Sequence, residues 1–396
     1  MDYLDQLWIT LPAISPDYSG VCSAMFDLGG VTVVHDASGC TGNYTGYDEP
    51  RWYGTESKVY CSGLREIDAV LGRDDKLIAH TIEAGKLTNP KIYTVVGSPV
   101  PMVIGSDMKG IAHELEELTG VPSFGFDTNG LKLYNYGISI AMEALIERFA
   151  KKSERKIHNG INILGTNAFD FANVGNERDL EEFLTKNGFH VVAKMMMGAT
   201  VEQIQSLTMA EINLVVSESA YKSAKLLHKK YGIPYVVANP ICDGLDVLDL
   251  LSKTLKDSQC RIMKDENASG SIARKVLILG EQVTGNSIRR ELLRRKSDAN
   301  VSVATMTGLC NELASASDKD LQSENQVRRL LGTGEYSVIV GDPLFKDVLE
   351  CMGLENEITL IEIPHVALSS KIHWNRAVHF LGKEMDMIIS QIINSI

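Results

Sequence analysis

The sequence lacks the features that would commit it to a membrane or to a nucleic acid. No apolar run reaches the roughly 18 residues that span a bilayer, and the opening MDYLDQLWIT is acidic rather than a basic signal region. The net charge of −12 is not offset by any long basic stripe, which argues against a nucleic-acid surface. We therefore expect a cytoplasmic protein that binds neither a membrane nor a nucleic acid.

Two nucleotide-binding motifs are also missing. The segment GEQVTGNS (280–287) lacks the G-x-G-x-x-G spacing of a dinucleotide site, and no G-x-x-x-x-G-K-[ST] segment occurs anywhere in the chain. If ATP drives the chemistry of this protein, we expect a partner protein to bind it.

Cysteine is sparse, with seven residues in 396, but three of them lie near the N-terminus. Thiols stay reduced in the cytoplasm, so clustered cysteines favour a metal or a catalytic group over disulfides. Cys22, Cys40 and Cys61 are separated by 17 and 20 residues, and these spacings match no zinc ribbon or ferredoxin motif. Either the three hold a metal cluster, or Cys22 and Cys61 are small buried apolar residues.

The chain does contain a repeated strand–turn–helix pattern. Three segments begin with apolar runs that end at a glycine or a polar turn: VTVVHDASGC (31–40), GINILGTNAFD (160–170) and KVLILGEQVTG (275–285). Helical periodicity fills the gaps, as in IAHELEELTG, SAKLLHKKYG and LEEFLTKNG, each of which ends in a glycine. Short apolar strands that alternate with helices predict parallel sheets covered on both faces.

These repeats predict an α/β protein with three Rossmann-like parallel-sheet units around a central cleft. Polar, lysine-rich segments are typical of domain boundaries, and two of them, 151–160 and 253–274, separate the repeats. We therefore expect units at 20–155, 156–265 and 272–396, the first of which carries the clustered cysteines.

Cys40 lies just beyond the first predicted strand, where open parallel sheets bind their ligands. Gly39 beside it leaves room for a bulky inorganic group. Soft thiolates suit iron and sulfide, and a cubane cluster needs one ligand per iron. Three thiols leave one iron without a ligand, so the fourth would come from a partner subunit, from an aspartate such as Asp36, or from water.

At these positions the chain resembles the component 1 proteins of nitrogenase and their relatives. The family includes the nitrogenase α and β subunits, the cofactor-assembly scaffold, light-independent protochlorophyllide reductase and the reductive cyclase of coenzyme F430 synthesis. HDASGC is similar to the family's His-Gly-Pro-x-Gly-Cys corner at His35, Gly39 and Cys40. The Tyr-Gly-Ile-Pro signature at 231–234 and the opening of the third repeat are also similar, and the resemblance covers 20–395 in order.

The resemblance implies a reductase catalytic component that takes electrons from an ATP-dependent iron protein and reduces an unidentified substrate. His35 and Gly39 would shape the cofactor corner, and Cys22, Cys40 and Cys61 would bind an iron–sulfur cluster, a [4Fe-4S] cluster at a subunit interface. The partner there would be a homologous component 1-like subunit, with a heteromer favoured over a homodimer. The alternatives are a metallocluster assembly scaffold and a cluster-free structural partner subunit.

The chain also departs from the family pattern. Val100 stands where relatives usually have a third cysteine before the proline, so Cys61 either replaces that ligand or is a bystander. Ser217 or its neighbour occupies the place of the cysteine that holds the catalytic cofactor of the nitrogenase α subunit. None of the histidines near the C-terminus matches the cofactor histidine, which argues against an iron–molybdenum cofactor. The loop TGYDEPRWYG (45–54) is interpreted as solvated, with a docking surface or a pocket wall as the alternative.

Overall fold

The computed structural model describes residues 8–54, 58–265 and 274–396. These residues form three separate sheets flanked by helices. Within each sheet, every pair of neighbouring strands is parallel. The prediction of an α/β fold with three parallel-sheet units is therefore confirmed. The predicted unit boundaries stay predictions, and the expected start of the third unit, residue 272, lies outside the described residues.

The first sheet has four strands in the order β2-β1-β3-β4. Its strands are β1 Val31–Val34, β2 Val59–Cys61, β3 Tyr93–Val96 and β4 Ser123–Phe126. Its helices are α1 Asp17–Met25, α2 Gly39–Asn43, α3 Glu66–Leu71, α4 Asp74–Thr88, α5 Pro99–Val103, α6 Met108–Thr119 and α7 Tyr134–Phe149. All residues of β1 and β3 are buried, as expected for strands covered on both faces. Asp107 caps the start of helix α6, since its carboxylate accepts from two backbone N–H groups, and the left-handed Gly120 caps the end.

The second sheet has five strands in the order β6-β5-β7-β8-β9. Its strands are β5 Gly160–Thr166, β6 His190–Met196, β7 Ile212–Val215, β8 Tyr235–Val237 and β9 Arg261–Ile262. Its helices are α8 Ala168–Phe171, α9 Asn176–Lys186, α10 Val201–Ser206, α11 Tyr221–Tyr231 and α12 Leu245–Asp257. The predicted glycine end is confirmed at Gly232, which is left-handed, whereas α9 ends at Asn187 and Gly188 follows with a positive φ.

The third sheet has five strands in the order β12-β11-β10-β13-β14. Its strands are β10 Lys275–Leu279, β11 Asn300–Thr305, β12 Lys319–Asp320, β13 Tyr336–Gly341 and β14 Thr359–Glu362. Its helices are α13 Gln282–Arg295, α14 Glu324–Leu331, α15 Phe345–Met352, α16 Val366–Ser369 and α17 Lys383–Asn394. Glu281 caps the start of helix α13, because its carboxylate accepts from the N–H groups of Val283 and Thr284.

The strand order creates one switch point in each sheet. Strands β1 and β3, β5 and β7, and β10 and β13 are adjacent, yet each pair sends its following connections to opposite sides. The crevice beyond the carboxyl ends of such a pair is where open α/β sheets bind ligands. Three crevices of this kind are therefore the places where function is expected.

The three units share apolar packing. One buried cluster contains Val34 of the first sheet, Leu164 of the second and Leu279 of the third. Helices α1 and α7 approach closely at two glycines. A Cβ on Gly20 would lie 2.1 Å from the carbonyl oxygen of Tyr134, and one on Gly137 would lie 1.9 Å from that of Asp17. Only glycine permits this approach of the two backbones.

The N-terminal segment is attached to the third unit, although the carbonyl of Ser15 also accepts from the N–H of Tyr134 in the first unit. The carboxylate of Glu324 accepts from the N–H groups of Ile9, Thr10 and Leu11 at 2.7–2.9 Å. Farther on, the N–H of Ser15 donates to the carbonyl of Ala367 at 2.9 Å. The beginning of the described chain is thus joined directly to the third unit.

Candidate functional site

Cys40 lies at the switch point of the first sheet. The chain leaves β1 at His35, whose N–H donates to the carbonyl of Val96 on β3 at 2.8 Å, and Cys40 is in the first turn of α2. The thiol is half-buried within hydrogen-bonding reach of Tyr18 and Ser98. Burial raises the pKa of Cys40 and outweighs the hydrogen bonds that lower it. Cys40 therefore lies beyond the end of β1, as predicted, and its role as a cluster ligand stays a prediction.

Cys61 also lies at the carboxyl ends of the strands, on the other side of Asp36. It is the last residue of β2, and its thiol donates to the carbonyl oxygen of Asp36 at 3.3 Å, while the N–H of Gly63 donates to its sulfur at 3.3 Å. The carboxylate of Asp36 accepts from the N–H groups of Ser38 and Thr41 at 3.0 and 3.1 Å. Asp36 thus holds the turn before α2 between the two half-buried thiols.

Cys22 lies in a different environment. It is fully buried on α1, and burial, with the charges of Glu49 and Asp48, raises the pKa of its thiol. The thiolate that iron requires is disfavoured there. Cys22 as a ligand stays a prediction, and this arrangement does not fit it.

Gly39 and His35 play distinct local roles. A Cβ on Gly39 would meet no atom within 4 Å, so the space beside Cys40 is open, as predicted. The Nδ1 atom of His35 lies 2.9 Å from the hydroxyl oxygen of Ser62, and the His35 carbonyl accepts from Ser98. Burial lowers the pKa of His35 and so favours the neutral ring. His35 therefore joins the ends of β1, β2 and β3.

All seven cysteines are free. In the described part of the chain no three His, Cys, Asp or Glu side chains are arranged to hold a metal ion. Cys40 and Cys61 thus offer half of a cluster site at most. Any cluster held at this edge would need ligands from a second chain.

The charged residues of the loop at 45–54 are not solvated, contrary to the interpretation from the sequence, whereas Tyr47 and Tyr53 are exposed. Asp48, Glu49 and Arg51 are buried. Asp48 accepts from Ser19 and Asn43, and burial raises its pKa to about 6. Arg51 pairs with Glu49 at 2.7 Å. The hydrophilic sequence misled because these charges satisfy one another inside the first unit.

Exposed apolar side chains surround the edge that carries Cys40 and Cys61. They belong to the connections after β2 and β3, and we call them the apolar rim: Ile67, Val70, Leu71, Val100, Val103 and Ile104, which are 45–86% exposed. A small cavity lined by His35, Ser62 and Ile104 joins the two connections. Exposed apolar patches of this kind mark interaction surfaces.

A second group of residues, which we call the central site, comprises Tyr134, Asp170, Glu281 and His365 at the junction of the units. Asp170 follows β5, Glu281 follows β10, His365 follows β14, and Tyr134 begins α7. One carboxylate oxygen of Asp170 accepts from the Tyr134 hydroxyl at 2.5 Å and lies 3.1 Å from Nε2 of His365. The other oxygen accepts from Ser217 at 2.6 Å.

Asp170 and His365 of the central site stabilise each other's charge, whereas Asp170 opposes the ionisation of Glu281. Burial alone raises the pKa of Asp170, but His365, Ser217 and Tyr134 outweigh it and lower the pKa. Burial alone lowers the pKa of His365, but Asp170 outweighs it and raises the pKa. Asp170 and His365 therefore form a buried ion pair. Burial and the charge of Asp170 raise the pKa of Glu281 to about 7.

Comparison with known proteins agrees with these features. Residues 17–265 match the family described as nitrogenase component 1 type oxidoreductase. The chain belongs to this family.

Curated component 1 relatives match roughly half of the chain. The nitrogenase iron-molybdenum cofactor biosynthesis protein NifE of Clostridium pasteurianum is 29% identical over 225 residues, which are 54% of this chain and 48% of that protein. The nitrogenase molybdenum-iron protein alpha chain of the same organism is 28% identical, over 54% of this chain and 41% of that one. A light-independent protochlorophyllide reductase subunit from Heliobacterium modesticaldum is 22% identical, over 45% of this chain and 34% of that one. The chain therefore spans about half the length, or less, of these relatives.

The component 1 fold extends over the whole chain. The solved structure "Nitrogenase Cp1 at pH 6.5" superposes with a TM-score of 0.70 at 16% identity, over 98% of this chain and 90% of that one. This likeness shows the fold alone. In the described residues, no helix is both long enough and apolar enough to cross a membrane.

Sequence reasoning missed most of the central site of this component 1 chain. Tyr134, Asp170 and His365 are far apart in the sequence, so no local motif joins them. A weak signal was present at Asp170, which follows the predicted strand of GINILGTNAFD at the edge where ligands bind. Of the C-terminal histidines, His365 reaches the central site, whereas His379 pairs with Asp179 at the surface.

Proposed function

We propose that this chain is the catalytic component of a nitrogenase-like reductase. In this proposal a [4Fe-4S] cluster is shared with a homologous component 1-like subunit and receives electrons from an ATP-dependent iron protein. The observation that supports it is the placement of Cys40 and Cys61 on either side of Asp36, at the switch point of the first sheet. When bound, such a cluster supplies one-electron transfer.

The residues around the two thiols fit such a group. Cys40 and Cys61 are half-buried rather than enclosed, and the missing side chain of Gly39 leaves open space beside them. Asp36 fixes the turn that carries Cys40, and His35 holds the strand ends on which both thiols depend. Two thiols from each of two chains would give the four ligands of a cubane.

An assembly scaffold is the second candidate. Several of the relatives are named as cofactor biosynthesis proteins, at 28–29% identity over about half of this chain. Anaerobic transfer assays separate the two functions. A reductase retains its cluster and passes electrons to a substrate when the iron protein and ATP are added, whereas a scaffold releases its cluster to an acceptor protein.

Iron content tests the ligands. The protein, purified anaerobically with any sister subunit, should be brown and contain about four iron and four sulfide per cluster. We expect Cys40→Ala and Cys61→Ala to lose most of this iron, because no other thiol of the described residues lies at that edge. The matched controls Cys260→Ala and Cys351→Ala should keep it. An iron-free wild-type protein would overturn the proposal and favour a structural partner subunit.

Cys22→Ala decides between two expectations. The sequence resemblance makes Cys22 a ligand, so its loss should remove iron. The structure encloses Cys22 among carboxylates, so its loss should leave the iron content unchanged and cost only core packing. Iron analysis of the anaerobic variant, with the unfolding midpoint as a second readout, distinguishes the two.

The partner subunit should cover the apolar rim. Two relatives are named as an alpha chain and as a reductase subunit, which are single chains among several. We expect Leu71→Asp combined with Val103→Asp to weaken association at least about tenfold, because charged groups would replace buried apolar contacts. Leu87→Asp is the control, since Leu87 is 85% exposed but lies at the opposite edge of the sheet. Sedimentation that finds a cluster-containing wild-type monomer would contradict this expectation.

A further inference from the structure

Residues 8–15, which we call the N-terminal strap, lie along the boundary between the first and third units and form neither a helix nor a strand. The second end of the strap is joined to both units. The N–H of Ser15 donates to the carbonyl of Ala367, and the carbonyl of Ser15 accepts from the N–H of Tyr134, each at 2.9 Å. The first end is joined to the third unit through Glu324. The two ends are thus attached through separate contacts.

One side chain holds the first end of the strap. The carboxylate of Glu324 is 1% exposed, and one of its oxygens accepts from all three N–H groups of Ile9, Thr10 and Leu11. Its other oxygen accepts from Nε of Arg328 at 2.7 Å, and Arg328 also donates to the hydroxyl of Thr10. Burial alone raises the pKa of Glu324, but these donors outweigh it and lower the pKa to about 2. The carboxylate is therefore ionised at neutral pH, and its removal would break three bonds of the strap at once.

The strap borders two cavities beside the central site. Ile14 lines a cavity of about 20 Å³ that is also lined by His365, and this volume suits a single water. Trp8 lines a larger cavity of about 470 Å³. Met306 and Thr307 line both cavities, so the two are neighbours. Movement of the strap would therefore change the access of solvent to His365.

The strap has little apolar packing of its own. Of its apolar side chains only Leu11 and Ile14 are buried, at 4% and 7% exposure, whereas Ile9 is 77% exposed. Segments with few buried apolar contacts open at a lower free energy than the core of a protein. We therefore expect the strap to open while the three sheets stay folded.

We propose that the N-terminal strap opens and closes as a lid over the central site, with Glu324 as its latch and Ser15 as its hinge. Opening would connect the cavity beside His365 with solvent and so control the exchange of water and small molecules there. The proposal goes beyond the reductase function and does not rest on it, because opening needs neither a cluster nor a partner subunit.

Hydrogen exchange of the full-length chain, followed by mass spectrometry of its peptides, tests whether the strap opens by itself. The N–H groups of residues 9–11 should lose protection at least about tenfold faster than those of Leu277 and Ile278 in the buried strand β10. Equal rates would show that the strap opens only when the whole protein unfolds, and they would overturn the proposal.

Glu324→Ala tests the latch. The N–H of His365 donates to the carboxylate of Asp342 at 2.7 Å, a bond that the substitution does not touch. We nevertheless expect His365 to exchange at least about tenfold faster in this variant, because the strap no longer covers it. Glu350→Ala is the control, since Glu350 lies on α15 of the same unit with its side chain 51% exposed, and it should leave the exchange of His365 unchanged.

A reversible lock separates a moving strap from a general loss of stability. The hydroxyl oxygen of Thr10 lies 3.9 Å from the sulfur of Cys351, so Thr10→Cys places two thiols within reach of a disulfide. Oxidation of this variant should slow the exchange of His365 at least about tenfold, and reduction should reverse the effect. Thr10→Cys combined with Cys351→Ser cannot form the bond, so oxidation should not change its exchange.

The lock should also rescue the open variant. In Glu324→Ala combined with Thr10→Cys, oxidation should restore the wild-type exchange of His365. If oxidation slows this exchange in neither background, the strap is not a lid and the proposal is overturned. Such a failure would leave the iron content and the electron-transfer assays unchanged, so it is distinguishable from a failure of the reductase function.

Discussion

Asp170→Asn should lower the free energy of unfolding by about 3–5 kcal/mol, the usual cost of removing one partner from a buried ion pair. The side chain of Asp170 is 1% exposed, and it is contacted by Tyr134 of the first unit and His365 of the third. The substitution leaves His365 buried without its countercharge. Urea unfolding at constant pH measures the loss.

A second His–Asp pair provides the control. His379 and Asp179 also join the third unit to the second, but their side chains are 37% and 36% exposed. Solvent screens such a pair, so Asp179→Asn should lower the free energy of unfolding by no more than about 1 kcal/mol. Equal losses in Asp170→Asn and Asp179→Asn would contradict the role assigned to burial at the central site.

The cost of Asp170→Asn should also depend on pH. The raised pKa of His365 means that its contribution is complete below its ordinary value of 6.5 and is lost as the pH rises through the raised value. The lowered pKa of Asp170 means that its contribution is complete above 3.8 and is lost as the pH falls through the lowered value. The difference between wild type and variant should be largest between these limits and smaller in alkaline solution. A difference that is constant with pH would contradict the ion pair.

Alanine at either glycine of the α1–α7 contact should also destabilise strongly. Gly20→Ala and Gly137→Ala each place a methyl group about 2 Å from a backbone oxygen of the other helix. The backbone cannot move aside as a side chain can. Each substitution should therefore lower the free energy of unfolding by about 3 kcal/mol, at the upper end of overpacking effects. Thermal unfolding measures the cost.

The double variant sharpens this test. Both methyl groups push the same two helices apart, so the second substitution should cost clearly less than the first. Gly46→Ala is the control, because a Cβ there meets no atom within 4 Å. Additive costs, or a loss in Gly46→Ala as large as in Gly20→Ala, would show that the close approach of α1 and α7 is not what requires glycine.

Features that depend on neighbouring residues in the chain could be predicted from the sequence, whereas features that depend on contacts between distant residues could not. Strands β1, β5 and β10 were predicted because a buried parallel strand is a largely apolar run that ends at a turn. Strand β2 was missed because it has three residues and lies at the edge of its sheet, so nothing in its composition is strand-specific.

The same distinction applies to the three cysteines of the candidate cluster site. The position of Cys40 beyond β1 could be predicted because the end of the strand and Gly39 mark it locally. The proximity of Cys61 to Asp36 depends on the pairing of β1 with β2, which spacing does not reveal. The burial of Cys22 and of the charges at 48–51 depends on how α1 packs against distant elements. Such packing partners are selected by the whole fold, so no short window contains them.

The attachment of residues 9–11 to Glu324 has a consequence for biosynthesis. A ribosome makes residues 9–11 long before Glu324, which follows the strands of the first two sheets in the chain. These backbone N–H groups therefore lack their carboxylate partner while the earlier units fold as they are synthesised. Their docking is a late event that reports completion of the third unit, and a protease directed at residues 9–11 would distinguish nascent from finished chains.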